Sequence, residues 1–290
     1  MLLEFTKMHG LGNDFIVIED LAEELDFAPE AVVWLCDRNF GIGADGLILV
    51  RPATDSEAHF LMMYYNADGS TAEMCGNGIR CFAKYLVDHK LLPAQASTAR
   101  VQTLGGVKSM TFTRDEAGLM DEATVDMGVP MLAPAQVPVD LPGERVVDAP
   151  LDTEEGTLNI TALSMGNPHA VLWVDDVETA PVHVLGPLIE THSSFPAKTN
   201  VEFAQFLSVR HIRLRVWERG VGETLACGTG ACATAVAGAL SGRTNREVTV
   251  ELPGGDLRIL WDDDDRVLMT GPAVEVFCGV VAIDDEDTAS

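Results

Sequence analysis

The sequence has 290 residues, of which 47 % are hydrophobic and 22 % charged, a composition typical of a globular protein with a substantial core. Its 45 acidic side chains outnumber 19 basic ones and give a net charge of −26, which argues against nucleic acids and anionic membranes as partners. The N-terminus lacks a basic region followed by an apolar core, and no apolar stretch reaches the ~18 residues of a membrane span. We therefore expect a soluble, cytoplasmic protein.

Acidic residues occur along the whole chain, with runs at 262–265 and 284–287. A solvated surface is the simpler interpretation of this excess. The alternative is adaptation to a cytoplasm of very high salt, where screening reduces the repulsion among like charges.

The predicted elements, in chain order, are mostly short strands with two helices that stand out. One helix follows Cys75, where Ile79, Phe82, Ala83 and Leu86 have helical spacing. The other follows Cys227 and is apolar on every face until Gly242, so we expect a sheet around it. Between them, the proline-rich segment 128–150 predicts a connection that holds at most a strand or two. Alternation predicts strands at 101–107, 108–113, 124–127, 158–163, 171–174, 248–252, 257–261 and 267–271.

The sequence repeats itself on either side of the proline-rich segment. Residues 60–81 and 212–232 each combine a strand, a turn and Cys-Gly-Xaa-Gly, and their cysteines, Cys75 and Cys227, are 152 residues apart. A second pair, Gly-Asn-Asp-Phe from residue 12 and Gly-Asn-Pro-His from residue 166, has an offset of 154. This repetition predicts two similar halves. We assign 1–127 with 273–290 to the first and 128–272 to the second.

Six cysteines are present, and their context separates two of them from the rest. Disulfides are rare in the cytoplasm, and none of the spacings matches the pairs of a typical zinc site. We expect Cys36, Cys81, Cys232 and Cys278 to be small buried hydrophobes. Each Cys-Gly-Xaa-Gly instead puts its thiol where a helix begins.

A thiol at a helix N-terminus lies beside unpaired amides and the positive end of the helix dipole, which lower its pKa. The glycines allow a ligand close to the backbone, and the free amides suit a carboxylate. Two matched sites favour one reaction in particular. Inverting a carbon that carries a proton needs a base on one face and an acid on the other. A single thiol nucleophile, as in a thiol protease, and a pair of plain helix caps are the alternatives.

Long stretches of the sequence resemble the diaminopimelate epimerase family. The first signature is Tyr-Asn-Ala-Asp-Gly-Ser from residue 65 with Met-Cys-Gly-Asn-Gly-Ile-Arg from residue 74, and the second is Glu-Arg-Gly from 218 with Ala-Cys-Gly-Thr-Gly from 226. Shorter matches begin at Gly10, Gly41, Gly166 and Thr199, so that the resemblance covers nearly the whole chain. It implies an α/β (α+β) fold of two pseudo-symmetric domains. Each would be a barrel-like, mostly antiparallel sheet around a central helix, with the active site in the cleft between them.

The resemblance also implies a function. The family interconverts LL- and meso-2,6-diaminopimelate in lysine biosynthesis, without pyridoxal phosphate, metal or any other cofactor. Cys75 and Cys227 then form the acid/base pair, and His169 and Glu218 influence its chemistry. The implied substrate-binding residues are Asn13, Asn66, Gly76, Asn77, Asn167, Asn200, Glu218, Arg219, Gly228 and Thr229.

These residue types suit the substrate chemically, because the far end of diaminopimelate is a zwitterion that needs a guanidinium, a carboxylate and amides. One departure is visible at Gly46, where some family members carry Gln, so a substrate contact is absent and has to be replaced. Proline or hydroxyproline racemases remain a rival, although they usually carry His where this chain has Asn77. A redox or metal-binding thiol protein and a non-catalytic amino-acid binder are further alternatives. The sequence leaves the choice between monomer and homodimer open.

Overall fold

The computed structural model describes residues 1–72 and 75–283, so the acidic run at 284–287 lies outside them. The chain divides into two compact units. Unit 1 is Met1–Val125 together with the segment from Gly271 onward, and unit 2 is Asp126–Thr270. Both units combine long β-strands with helices and are α+β. Within the described residues, no helix has both the length and the apolar character needed to cross a bilayer.

Unit 1 is built from eight strands and two helices in the part of the chain that the structure describes. In chain order they are β1 (Leu2–Gly10), β2 (Asn13–Glu19), α1 (Pro29–Cys36), β3 (Gly46–Pro52), β4 (Phe60–Asn66), α2 (Gly76–Asp88), β5 (Thr98–Thr103), β6 (Gly106–Arg114), β7 (Met120–Asp126) and β17 (Val274–Ala282).

Unit 2 follows with a closely similar succession. Its elements are β8 (Val146–Thr153), β9 (Gly156–Ser164), β10 (Pro168–Val174), α3 (Val182–Glu190), β11 (Asn200–Ser208), β12 (His211–Glu218), β13 (Gly222–Thr224), α4 (Gly228–Leu240), β14 (Glu247–Leu252), β15 (Gly255–Trp261) and β16 (Val267–Pro272).

The strands of unit 1 pair in one continuous order, from β17 through β1, β2, β3, β4, β5 and β6 to β7. The β2–β3 and β4–β5 pairs are parallel, and the others in this order are antiparallel. Helix α2 packs on β1, β2, β3 and β17. The predicted apolar set Ile79, Phe82, Ala83 and Leu86 is fully buried there, so the expected helix and its buried face are confirmed.

Unit 2 repeats these pairings with its own strands, from β8 through β9, β10, β11, β12, β14 and β15 to β16. Its parallel pairs are β10–β11 and β12–β14, at the same places in the order. Helix α4 packs on β9, β10, β11, β12, β14 and β15, as expected for a helix without a polar face. The recurrence of the whole pairing pattern supports an internal duplication.

Two expectations about local structure are wrong. The strand predicted at 101–107 is broken by a hairpin, because Thr103 Oγ1 accepts a hydrogen bond from the Gly105 amide and Gly106 adopts φ +94°. Cys278 is exposed, whereas Cys36, Cys81 and Cys232 are buried as expected. Cys278 lies on β17, a strand whose outer side chains include exposed apolar residues.

Candidate active site

In unit 1, Cys75 is the N-cap residue of α2. Its backbone is extended, with φ −127°, and its Sγ accepts a hydrogen bond from the Gly78 amide over 3.4 Å. This is the contact expected of a side chain that satisfies a free amide of the first turn. The carboxylate-binding candidates Gly76 and Asn77 follow directly and are buried in the same turn.

A directed chain of hydrogen bonds surrounds Cys75. The fully buried guanidinium of Arg80 donates to Asn77 Oδ1 at 3.0 Å, and Asn77 Nδ2 donates to Asn13 Oδ1 at 3.0 Å. Asn13 Nδ2 in turn donates to the Asp45 carboxylate at 2.7 Å. The amide of Asn13 therefore presents its oxygen towards Cys75, whose Sγ lies 3.8 Å away. The side-chain oxygen of Asn13 is therefore a hydrogen-bond acceptor that faces the Cys75 thiol.

The turn that carries Asn13 explains its placement. Leu11 and Gly12 link β1 to β2 with φ of 57° and 85°, which is the two-residue hairpin turn with positive φ at both central residues. Leucine rarely adopts this conformation, and here its side chain is buried. Packing of Leu11 thus holds a strained turn that fixes the start of β2.

In unit 2, Cys227 is the N-cap residue of α4, also with extended backbone, and it is 4 % exposed. Its Sγ lies 3.5 Å from Thr229 Oγ1. Burial, together with the carboxylates of Glu218 and Glu202, raises the pKa of Cys227 well above 9.0, although Thr229 and the Gly230 amide act in the opposite direction. The expectation that the helix N-terminus lowers this pKa is wrong, since desolvation of the thiolate outweighs the helix.

A second chain of hydrogen bonds leads to Cys227. His169 Nε2 lies 3.0 Å from Asn167 Oδ1, and Asn167 Nδ2 donates to Thr229 Oγ1 at 3.3 Å. Four predicted site residues, His169, Asn167, Thr229 and Cys227, are therefore brought into one network. His169 is fully buried and lies on β10, directly after the turn that contains Asn167.

Glu202 belongs to this network, although the sequence analysis assigned no role to this residue. Its Oε1 lies 2.6 Å from His169 Nδ1, and both side chains are fully buried. Burial raises the pKa of Glu202, and His169 opposes that effect. The β10–β11 pairing sets the contact, because it places His169 opposite Asn200, two residues before Glu202. The sequence signal that could have identified Glu202 is a charged residue within the mostly apolar, buried part of β11.

The remaining candidates of unit 2 lie around the β12–β13 turn. Glu218 Oε1 accepts a hydrogen bond from Thr224 Oγ1 at 2.5 Å. The Asn200 side chain, 3 % exposed, accepts from the Arg219 amide at 2.9 Å and donates to the Pro168 carbonyl at 2.9 Å. Asn200 thus braces the turn, while the Arg219 side chain is exposed and donates to the Ala197 carbonyl.

Asn66 ends β4 in unit 1, opposite Gly46 of β3. Its Nδ2 donates to Ser70 Oγ at 3.0 Å within the following turn. A Cβ at position 46 would lie 2.6 Å from the Tyr65 carbonyl oxygen and 2.6 Å from the Tyr64 ring. A side chain larger than that of glycine therefore does not fit at position 46 without a shift of the neighbouring strand β4.

The residues described above form two separate clusters, one in each unit, which we call half-sites. In each half-site a cysteine lies directly before the first turn of a helix. Among residues 1–72 and 75–283, no group of three His, Cys, Asp or Glu side chains is arranged to hold a metal ion. Each half-site offers a titratable sulfur, first-turn amides and oriented side-chain amides.

Comparisons with known proteins identify similar sequences along nearly the whole chain. The family model described as diaminopimelate epimerase matches residues 5–133 and 161–276. The diaminopimelate epimerase of Pelotomaculum thermopropionicum is 50 % identical over 280 residues, which cover 96 % of this chain and 98 % of that protein. The one of Moorella thermoacetica is 50 % identical over 284 residues, 97 % of this chain and 100 % of that protein.

Solved structures share the fold at low identity. A hydroxyproline epimerase from Agrobacterium vitis has a TM-score of 0.71 at 16 % identity and covers 98 % of this chain and 93 % of its own. A methylitaconate-delta-isomerase has a TM-score of 0.65 at 15 % identity, with 97 % and 95 % covered. These similarities establish the fold, and the sequence relatives establish the family. The chain belongs to the diaminopimelate epimerase family.

Proposed function

We propose that this protein interconverts LL- and meso-2,6-diaminopimelate, as an isomerase of lysine biosynthesis that uses two thiols and no cofactor. The observation that carries the proposal is the family match over nearly the whole chain, which contains both Cys-Gly-Xaa-Gly motifs. The N-cap positions of Cys75 and Cys227 support it.

In the proposed reaction, the two sulfurs act on opposite faces of one α-carbon. One cysteine, as thiolate, removes the α-proton, and the other, as thiol, returns a proton to the opposite face. The substrate leaves with inverted configuration, and the two cysteines exchange protonation states. Because they share one proton between them, they titrate as a pair.

The α-proton of an amino acid is a much weaker acid than a thiol, so the carbanion has to be stabilised. We assign this task to the first-turn amides of α2 and α4, at Gly76, Asn77, Gly228 and Thr229. Amides fixed in this way can hold the reacting carboxylate as it acquires enolate charge. They are already oriented before the substrate binds, so that little reorganisation is needed during the reaction.

The far end of diaminopimelate carries an ammonium and a carboxylate. We propose that Arg219 binds that carboxylate, that Glu218 binds the ammonium, and that Asn66 and Asn200 complete the site. The exposed guanidinium of Arg219 and the brace that Asn200 provides to its turn support this assignment. A cyclic amino acid such as proline has no second zwitterion for these groups to bind.

We further propose that Cys227 is the protonated member of the pair in the resting enzyme. Burial and two nearby carboxylates disfavour its thiolate. His169 and Glu218 then influence the reaction through this thiol. The pH dependence of Cys227 alkylation tests whether this thiol is protonated in the resting enzyme.

The proposal extends to location and assembly. Free thiols persist in the reducing cytoplasm, and a thiol acid/base pair requires them, so we propose a cytoplasmic enzyme. A homodimer is proposed on the basis of exposed apolar side chains along β17, of which Val276 is 54 % and Phe277 is 48 % exposed. Light scattering of the wild type and of Phe277→Ser tests this, and a monomeric wild type contradicts it.

A coupled assay with LL-diaminopimelate, meso-diaminopimelate, L-proline and trans-4-hydroxy-L-proline tests the reaction. Turnover of both diaminopimelate isomers, with none of the cyclic substrates, is expected. Preferred turnover of a cyclic amino acid supports the racemase alternative. Tight binding of diaminopimelate without exchange of its α-proton supports a binding protein instead.

A further inference from the structure

We propose that Glu202 is a positioning residue that sets the direction of the hydrogen-bond chain leading to Cys227, so that Thr229 donates its hydroxyl proton to the sulfur. The proposal starts from a contact that the reaction scheme does not use. Glu202 is fully buried, and its Oε1 lies 2.6 Å from His169 Nδ1. Its other oxygen, Oε2, has no hydrogen-bond partner among residues 1–72 and 75–283.

The first step concerns the protons of the Glu202–His169 pair. An isolated charge at this depth is costly, and an unpartnered carboxylate oxygen makes a lone anion still less favourable. The pair is neutral as a whole when it holds two protons. One lies between Oε1 and Nδ1, and the second is on Nε2, where Asn167 Oδ1 can accept it.

The second step follows the chain outward. His169 Nε2–H donates to Asn167 Oδ1 over 3.0 Å, which turns Asn167 Nδ2 towards Thr229. Thr229 Oγ1 accepts that bond over 3.3 Å, and its own proton remains to be donated to Cys227 Sγ at 3.5 Å. Every bond in the chain thus points from Glu202 and His169 towards the sulfur.

The lack of space beside Gly230 shows that Glu202 lies against the start of α4. A Cβ at Gly230 would lie 2.9 Å from Glu202 Oε1 and 3.3 Å from Cys227 Sγ. The charged groups that face this thiol are the carboxylates of Glu202 and Glu218, and His169 contacts Glu202. A donor from Thr229 stabilises the thiolate against burial and against these carboxylates.

The directed chain and simple charge repulsion predict opposite effects when Glu202 is replaced. In Glu202→Leu, the imidazole loses the partner that kept its proton on Nε2, so Thr229 no longer has to donate to the sulfur. The Cys227 thiolate then becomes rarer, and alkylation slows by about fivefold, the factor that corresponds to one net hydrogen bond. If Glu202 acted only by repulsion, its removal would make the thiolate more abundant and alkylation faster.

The experiment measures iodoacetamide labelling of the full-length protein by peptide mass spectrometry, with the rate at Cys75 as internal reference. We expect the Cys227/Cys75 rate ratio to fall in Glu202→Leu and to stay near the wild-type value in Glu202→Gln, whose amide can donate to Nδ1. Glu190→Gln is the matched control, because Glu190 is a buried carboxylate of the same unit that accepts from Trp217 and Gly220. Its ratio is expected to be unchanged.

A raised or unchanged ratio in Glu202→Leu overturns the proposal, as does an equal fall in the Gln variant. The nitrogen spectrum of ¹⁵N-histidine-labelled wild type tests it without a folding risk, with His169 assigned from the His169→Gln variant. Nε2 is expected to carry a proton, and a bare Nε2 contradicts the direction of the chain. The positioning role rests on the proposed function, but labelling and spectra use no substrate. Failure of the epimerase assay is therefore distinct from failure of this proposal.

Discussion

The two cysteines precede equivalent helices, yet they face different side chains. In unit 1 the chain of donors ends on a carboxylate, and the Asn13 oxygen faces Cys75. In unit 2 the chain begins at a histidine–glutamate pair, and the Thr229 hydroxyl faces Cys227. The two units thus share the position of the cysteine before the helix and differ in the residues around it. A reaction that needs an acid and a base at the same time benefits from this asymmetry.

The largest predicted effect comes from removal of either sulfur. Cys75→Ala and Cys227→Ala are each expected to reduce epimerisation by roughly 10³-fold or more, because inversion needs both proton transfers. Steady-state assays in both directions measure the effect, with circular dichroism as the control for folding. Full activity in either variant contradicts the assignment of two bases.

Substitution of two equivalent glycines, Gly78 and Gly230, should distinguish the first turns of α2 and α4. Gly230→Ala is expected to lower kcat/KM by ~10- to 100-fold, because its Cβ would lie 2.9 Å from a held carboxylate and displacement of a catalytic group is costly. Gly78→Ala, at the equivalent position, should cost less, since its Cβ would lie no closer than 3.2 Å to any neighbour. These neighbours are the flexible ends of Ile48 and Met62, at 3.2 and 3.5 Å, and Cys75 Cβ at 3.3 Å. The reverse order of the two effects contradicts the tighter packing at α4.

The pH dependence of labelling should distinguish Cys227 from an ordinary thiol. Its pKa is raised well above 9.0, so its thiolate fraction should grow about tenfold per pH unit with no plateau below pH 9. Peptide mass spectrometry of brief iodoacetamide labelling between pH 6.5 and about 9 measures this. A plateau near neutral pH would show that the helix N-terminus outweighs burial.

The last prediction of this series concerns stability and the carboxylates beside Asn13. Burial raises the pKa of Asp14, but Arg38 and Lys7 lower it to about 2. Its stabilising contribution is therefore present above 3.8, the ordinary value, and is lost as the pH falls through about 2. Asp14→Asn is expected to cost up to ~2 kcal/mol at pH 7 and much less near pH 2, as measured by urea unfolding.

Asp55→Asn, an exposed aspartate of the same unit, serves as the control for that variant. An Asp14→Asn penalty that does not shrink in acid would mean that the carboxylate contributes through packing rather than charge.

The sequence predicted the features that depend on local pattern. The Cys-Gly-Xaa-Gly motifs predicted both helix starts, and the apolar spacing after Cys75 predicted the buried face of α2. Both are local properties of consecutive residues. The hairpin inside 101–107 was missed because alternation of apolar residues continued across the Leu104–Gly105 turn, although adjacent glycines signalled it.

Properties that depend on residues far apart in the sequence could not be predicted from local patterns. The raised pKa of Cys227 comes from burial and from Glu202 and Glu218, which strand pairing brings to the thiol. The position of Gly46 is fixed by Tyr64 and Tyr65 on the neighbouring strand. Neither the register of the strands nor the depth of a thiol can be obtained from the motif itself.

Isotope transfer from solvent is the most direct measurement of the proposed mechanism. The enzyme is incubated with LL-diaminopimelate in deuterated water, and substrate and product are analysed before a tenth of the substrate is consumed. Two separate thiols predict one deuterium at the inverted carbon of the meso product and none in the remaining LL isomer. Early product that retains the original proton, or rapid exchange into unreacted LL substrate, would contradict proton transfer between two distinct cysteines.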